Sequence, residues 1–119
     1  MSHILIIDDD EDMLAMTTRW LTKAGYEVSK ATSGKAALEL LGSIKPDLIL
    51  LDYAMPEMDG PHVLKALRQN DSYKTIPVLY RTGMDDLSDE DNSDIRPDGI
   101  VPKSEGKPYL LKAIGEILS

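Results

Sequence analysis

The chain of 119 residues predicts an open α/β domain: a parallel sheet of five strands with helices on both faces. Three observations carry this. Ile4–Ile7 and Leu48–Leu51 are short, unbroken apolar runs, as expected for strands buried on both faces. Strand-like segments alternate along the chain with segments whose apolar residues recur at helical spacing. Both apolar runs also stop at carboxylates, Asp8-Asp9 and Asp52, at the strand ends where open α/β sheets bind ligands.

The elements follow in order. Ile4–Ile7 is the first strand. Asp10 to about Ala24 is a helix, with acidic residues in its first turn and Gly25 closing it. Its apolar stripe is Met13, Leu14, Met16, Thr17, Trp20 and Leu21, and Trp20 reads as packing rather than a binding platform. Tyr26–Ala31 is the second strand and Lys35–Leu41 a short helix. Gly34-Lys35 is not a phosphate-binding loop, because Ser29 stands where that motif requires glycine.

The third strand, Leu48–Leu51, is started by Pro46 and ends at Asp52. Met55-Pro56 forces a turn, and Asp59 caps a helix running to about Gln69, with Val63, Leu64 and Leu67 inward. The fourth strand is Ile76–Tyr80, followed by Arg81-Thr82-Gly83. Met84–Pro97 is poor in apolar anchors and predicts a short helix or an irregular, mobile loop. It is not a calcium loop, since Asp94 and Ile100 occupy the positions that need glycine and glutamate. Gly99-Ile100-Val101 is the fifth strand. The last helix starts around Pro108 and buries Tyr109, Leu110, Ala113, Ile114 and Ile117.

If the first and third strands are parallel neighbours, Asp8, Asp9 and Asp52 converge at one sheet edge. Three carboxylates at close range repel, and a hard divalent cation such as Mg²⁺ would neutralise them. Helix capping accounts for Asp10, Glu11 and Asp12. It does not account for Asp52.

These features resemble the receiver domain of bacterial two-component response regulators, of the chemotaxis type. The resemblance rests on Ile-Leu-Ile-Ile-Asp-Asp at 4–9, Leu-Leu-Asp-Tyr-Ala-Met-Pro-Glu-Met-Asp-Gly at 50–60, Thr82-Gly83 and Lys103, in that order over nearly the whole chain. It implies a flavodoxin-like sheet of strand order 2-1-3-4-5, which puts strands one and three side by side. It implies transfer of a phosphoryl group onto Asp52 from a sensor histidine kinase or histidine phosphotransfer protein. The metal would be Mg²⁺, with Mn²⁺ able to substitute, held by Asp8, Asp9, Asp52 and the backbone carbonyl of Ala54. Thr82, Gly83 and Lys103 would bind the phosphoryl group.

Three positions depart from the family pattern. Ile100 stands where the family has Tyr or Phe, the ring that swings inward when the Thr moves; Ile100, stiff at its first torsion, is expected to stay packed in either state. Ser104 follows Lys103 in place of Pro. Lys107-Pro108 offers a competing match, but Lys103 sits at the strand end and is preferred. The acidic 85–98 segment occupies the usual output surface, and phosphorylation is expected to alter amide exchange mainly over 83–98.

Three function classes compete. The first is a phosphorylated receiver, without enzymatic turnover of a separate substrate. The second is a receiver-like protein-binding module not controlled by phosphorylation, which the complete set Asp8, Asp9, Asp52, Thr82 and Lys103 disfavours. The third is a phosphatase of the haloacid-dehalogenase type, whose Asp-x-Asp-x-Thr motif is not met by residues 8–12.

Composition bounds the rest. The length suits one domain, residues 1–119. With no cysteine, disulfides and thiolate metal sites are excluded. No leader and no membrane span is expected, which predicts a cytoplasmic protein. A net charge of −8 argues against direct nucleic-acid binding by this chain. Between Asp85 and Asp98 seven acidic residues face one basic residue, Arg96, so six of the eight net negative charges lie there. That cluster predicts a downstream protein with a basic surface.

Overall fold

Five strands and four helices make up the described part of the chain, residues 2–83 and 96–118 of a computed structural model. The strands are β1 (His3–Ile7), β2 (Glu27–Ala31), β3 (Leu48–Asp52), β4 (Val78–Thr82) and β5 (Gly99–Pro102). All are parallel, in the order β2-β1-β3-β4-β5. The expectation of a helix or mobile loop over 84–97, and of exchange changes over 83–98, falls largely outside the described residues.

Strict alternation of side chains divides the core into two layers. Leu5, Ile7, Ile49, Leu51, Val78 and Tyr80 face one way, onto α2 (Gly34–Leu40) and α3 (Gly60–Arg68). Ile4, Ile6, Leu48, Leu50, Leu79 and Val101 face the other way, onto α1 (Glu11–Lys23) and α4 (Lys107–Leu118). A strand covered on both faces has no solvent side, which is why β1 and β3 read as unbroken apolar runs. On the α2/α3 side, Tyr53 meets Tyr80 edge to face, ring centroids 5.3 Å apart.

Helix starts follow their capping residues. The Asp10 carboxylate accepts the N–H groups of Asp12 and Met13, Ser33 accepts that of Ala36, and Asp59 accepts that of His62. Gly25, at φ 98°, turns the chain out of α1 in the left-handed region that glycine tolerates. Trp20 packs partly buried against the α1/α4 layer, as expected.

Three expectations need correction. β4 is shifted two residues later than expected. Pro77 has no N–H for a ladder, and the Ile76 N–H is used by the Tyr73 carbonyl in the preceding turn, so the strand starts at Val78 and carries Arg81 and Thr82. Tyr109 is 45% exposed rather than buried, because Leu110 and Ile114, one turn apart, fill the core-facing side of α4. Ile100 is 41% exposed rather than packed: on the edge strand β5, Val101 takes the inward position and Ile100 alternates away from it. No helix among the described residues is long and apolar enough to cross a membrane.

Candidate functional site

The pairing of β1 with β3 matches Ile7 to Leu51, so Asp8 and Asp52 are the next residues along neighbouring strands. Both follow residues of the α1/α4 layer by two, and both are buried, Asp52 at 1% exposure and Asp8 at 3%. Asp9, one residue further, is exposed. Each of the three offers a carboxylate oxygen, and these oxygens lie within 4.8 Å of one another.

From the other side β5 delivers Lys103. Its backbone N–H donates to the Thr82 carbonyl at 2.8 Å, extending the β4–β5 pairing past Pro102. Its ammonium Nζ stands 3.0 Å from Asp52 Oδ1. The contact is an ion pair whose angles fall outside a regular hydrogen bond, and neither Asp52 carboxylate oxygen has a hydrogen-bond partner. A buried carboxylate without hydrogen bonds is costly. The donor set therefore fits a hard divalent cation, which takes oxygen ligands and would satisfy those oxygens.

Electrostatics agree with this geometry. The Asp52 carboxyl is pushed up to about 7. Burial is the largest cause; the Asp8 and Asp9 carboxylates push the same way, and Lys103 opposes them. Burial acts to lower the Lys103 ammonium, but Asp52 and Asp8 outweigh it and the net shift is upward. The attraction is mutual; it prevails over burial at Lys103 but not at Asp52, which is the more deeply enclosed partner and also faces Asp8 and Asp9.

Thr82 is buried at the end of β4, and its hydroxyl donates to the Gly83 carbonyl at 2.9 Å. Ala54 lies two residues beyond Asp52, in a shallow hollow lined by Tyr53, Ala54, Met55, Pro56 and Asp59. The loop here is tightly folded. Met58 N–H donates to the Pro56 carbonyl at 2.7 Å across Glu57, which sits at φ 66°. Gly60 opens α3 where a Cβ would come within 2.9 Å of the Asp52 carbonyl oxygen, so only glycine lets the helix start this close to the strand end.

Of the residues expected at the site, Asp8, Asp9, Asp52 and Lys103 are brought together, with Thr82, Gly83 and Ala54 on the adjoining strand end and loops. Ile100 stands apart on the exposed side of β5. Arg81, which no motif in the sequence marks, is 3% exposed, lies opposite Asp52 in the β3–β4 register, and donates from Nη1 to Thr17 Oγ1 at 2.8 Å. The available signal was its position: a lone cation directly after an apolar strand run and directly before Thr82.

The family model for the response regulator receiver domain matches residues 4–115. Among curated relatives, the response regulator MprA of Mycolicibacterium vanbaalenii is 34% identical over 98% of this chain and 50% of its own length. A probable cyclic di-GMP phosphodiesterase of Vibrio cholerae is 41% identical over 73% of this chain and 20% of its own. The chain thus spans half or less of these relatives. Among solved structures, the chemotaxis protein CheY4 of Vibrio cholerae superposes with a TM-score of 0.90 at 31% identity, covering 98% of both chains. The response regulator TrrA of Thermotoga maritima, in complex with Mg²⁺ and beryllofluoride, gives 0.87 at 27% identity, covering 98% of this chain and 99% of its own. By fold, by the converging carboxylates at one sheet edge and by the family match over 4–115, the chain belongs to the receiver domains of two-component response regulators.

Proposed function

We propose that the chain, read as a single receiver domain over 1–119, accepts a phosphoryl group on Asp52. The observation that supports this best is the state of Asp52: buried, without hydrogen bonds on either oxygen, and flanked by Asp8, Asp9 and Lys103. A side chain this costly to maintain belongs to chemistry rather than to stability.

In the reaction an Asp52 oxygen forms a bond to phosphorus while the P–N bond of a phosphohistidine breaks; imidazole leaves with the bonding electrons and takes a proton from water. Asp8, Asp9, Asp52 and the Ala54 carbonyl would hold Mg²⁺ or Mn²⁺. The bound cation supplies the neutralisation that lets one anion approach another. Lys103, already 3.0 Å from Asp52, follows the phosphoryl oxygens as a flexible point charge. The Thr82 hydroxyl, which now donates to Gly83, rotates to donate to a phosphoryl oxygen, and the Gly83 backbone leaves room for the group. The phosphoryl donor is a histidine kinase or phosphotransfer protein, and the recipient of the signal is a protein with a basic surface. The chain catalyses its own phosphorylation and slow dephosphorylation only.

Intact mass after treatment with acetyl phosphate and Mg²⁺ tests this. One added phosphoryl group is expected, absent in Asp52→Ala. No labelling of the unsubstituted chain would favour a binding module, multiple turnover of acetyl phosphate a phosphatase, and labelling that persists in Asp52→Ala another acceptor.

A further inference from the structure

We infer that Arg81 is a resident counter-cation of the acidic site, one that shares the neutralising role of the divalent ion and so weakens the site's demand for it. The inference rests on the metal-site reading above.

Its basis is the placement of the residue. Arg81 lies inside β4, paired with Asp52 on one side and Val101 on the other. By alternation it belongs to the same layer as Leu79, Leu50 and Val101, where an aliphatic side chain would complete the core. Instead a full positive charge is 3% exposed. Its Nη1 is tied to Thr17 Oγ1 of α1 at 2.8 Å, Thr17 itself being wholly buried. Its Nε is buried without a partner, and the guanidinium has no ion pair with any described carboxylate. A cation enclosed on these terms destabilises the fold unless a nearby field compensates it.

Asp8 and Asp52 supply that field. Burial pulls the Arg81 guanidinium below its ordinary pKa, while Asp8 and Asp52 both act to raise it. Arginine stays charged even so. Fully ionised, Asp8, Asp9 and Asp52 carry three negative charges; Lys103 alone would leave two uncompensated, and Arg81 leaves one. An arriving divalent cation meets a weaker field than in a site with Lys103 as its one cation. Thr17 fixes the guanidinium in the α1/α4 layer, near the carboxylates but not bonded to them, so it neutralises without blocking their oxygens.

Isothermal titration of MgCl₂ into the full chain at pH 8 tests this, using Arg81→Met, Arg81→Gln and Arg81→Lys. Gln keeps a donor for Thr17 and guards against a fold lost through Met. Both neutral variants should bind Mg²⁺ about five- to tenfold more tightly than the unsubstituted chain, and Lys should bind within about twofold of it. A merely structural arginine would change the melting temperature and leave Mg²⁺ affinity alone. Unchanged or weaker affinity in the neutral variants, beside normal binding by the unsubstituted chain, overturns this inference by itself. Failure of the unsubstituted chain to bind Mg²⁺ overturns the metal-site reading and this inference with it.

Discussion

Leu48–Leu51 and Asp52 belong to one strand, are equally enclosed, and have opposite relations to stability. The four apolar residues are buried, their backbone groups are paired with β1 and β4, and nothing polar is left over. One residue on, Asp52 is as deeply buried and has no hydrogen bond on either carboxylate oxygen. β4 repeats the contrast: Val78, Leu79 and Tyr80 fill the core, then Arg81 and Thr82 bury polar groups at the same rim. The body of the sheet holds the fold together. Its C-terminal rim spends part of that stability on charged groups held close and incompletely paired, as expected where a ligand completes the arrangement.

The sharpest way to break this contrast is to cut a side chain from the body. Leu50→Ala should cost about 3 kcal/mol in urea unfolding, since a fully enclosed leucine leaves a cavity that strands packed on both faces cannot close. A cost below about 1 kcal/mol would mean the body is no better packed than the rim.

Neutralising the rim should act in the other direction. Millimolar Mg²⁺ should raise the melting temperature by a few degrees, because an ion bound to the native state alone stabilises by mass action. Asp9→Ala should abolish most of that rise, Asp9 being a member of the acidic set. A melt that does not respond to Mg²⁺ would mean that the acidic set does not hold the ion.

The smallest effect is expected on β5. Ile100→Ala should cost no more than about 0.5 kcal/mol, the side chain being 41% exposed, whereas Val101→Ala next to it should cost clearly more. Equal costs would mean that Ile100 is packed after all.

Much of this was legible in the sequence, for physical reasons. Strands buried on both faces have no choice but to be apolar throughout, so β1 and β3 announced themselves, and the carboxylates that ended them marked the rim. Asp10 and Asp59 stood where caps belong. Misreadings arose where burial and polarity part company. In sequence Arg81 and Thr82 look like the end of a strand, which shifts the expected β4 too early; only the register with Asp52 and the bond to Thr17 reveal that Arg81 is inside. Tyr109 and Ile100 are apolar enough to suggest burial, yet each sits one residue away from the side chain that takes the inward position. Sequence shows which residues would gain from burial, while the fold decides which of two neighbours obtains it.

Ionising Asp52 in the folded chain goes against the preference of its surroundings, and the pH dependence of metal-free stability measures that cost. In the folded chain the Asp52 carboxyl titrates near 7, against 3.8 as the ordinary value. Between these values the native state binds a proton that the unfolded state does not, so metal-free stability falls as pH rises through this window. Asp52→Asn removes the titrating group. Urea unfolding without divalent cations should therefore find Asp52→Asn more stable than the unsubstituted chain at pH 8, with the difference shrinking steadily toward pH 5. An Asp52→Asn variant that is less stable at pH 8, or a difference independent of pH, would make Asp52 an ordinary satisfied buried carboxylate.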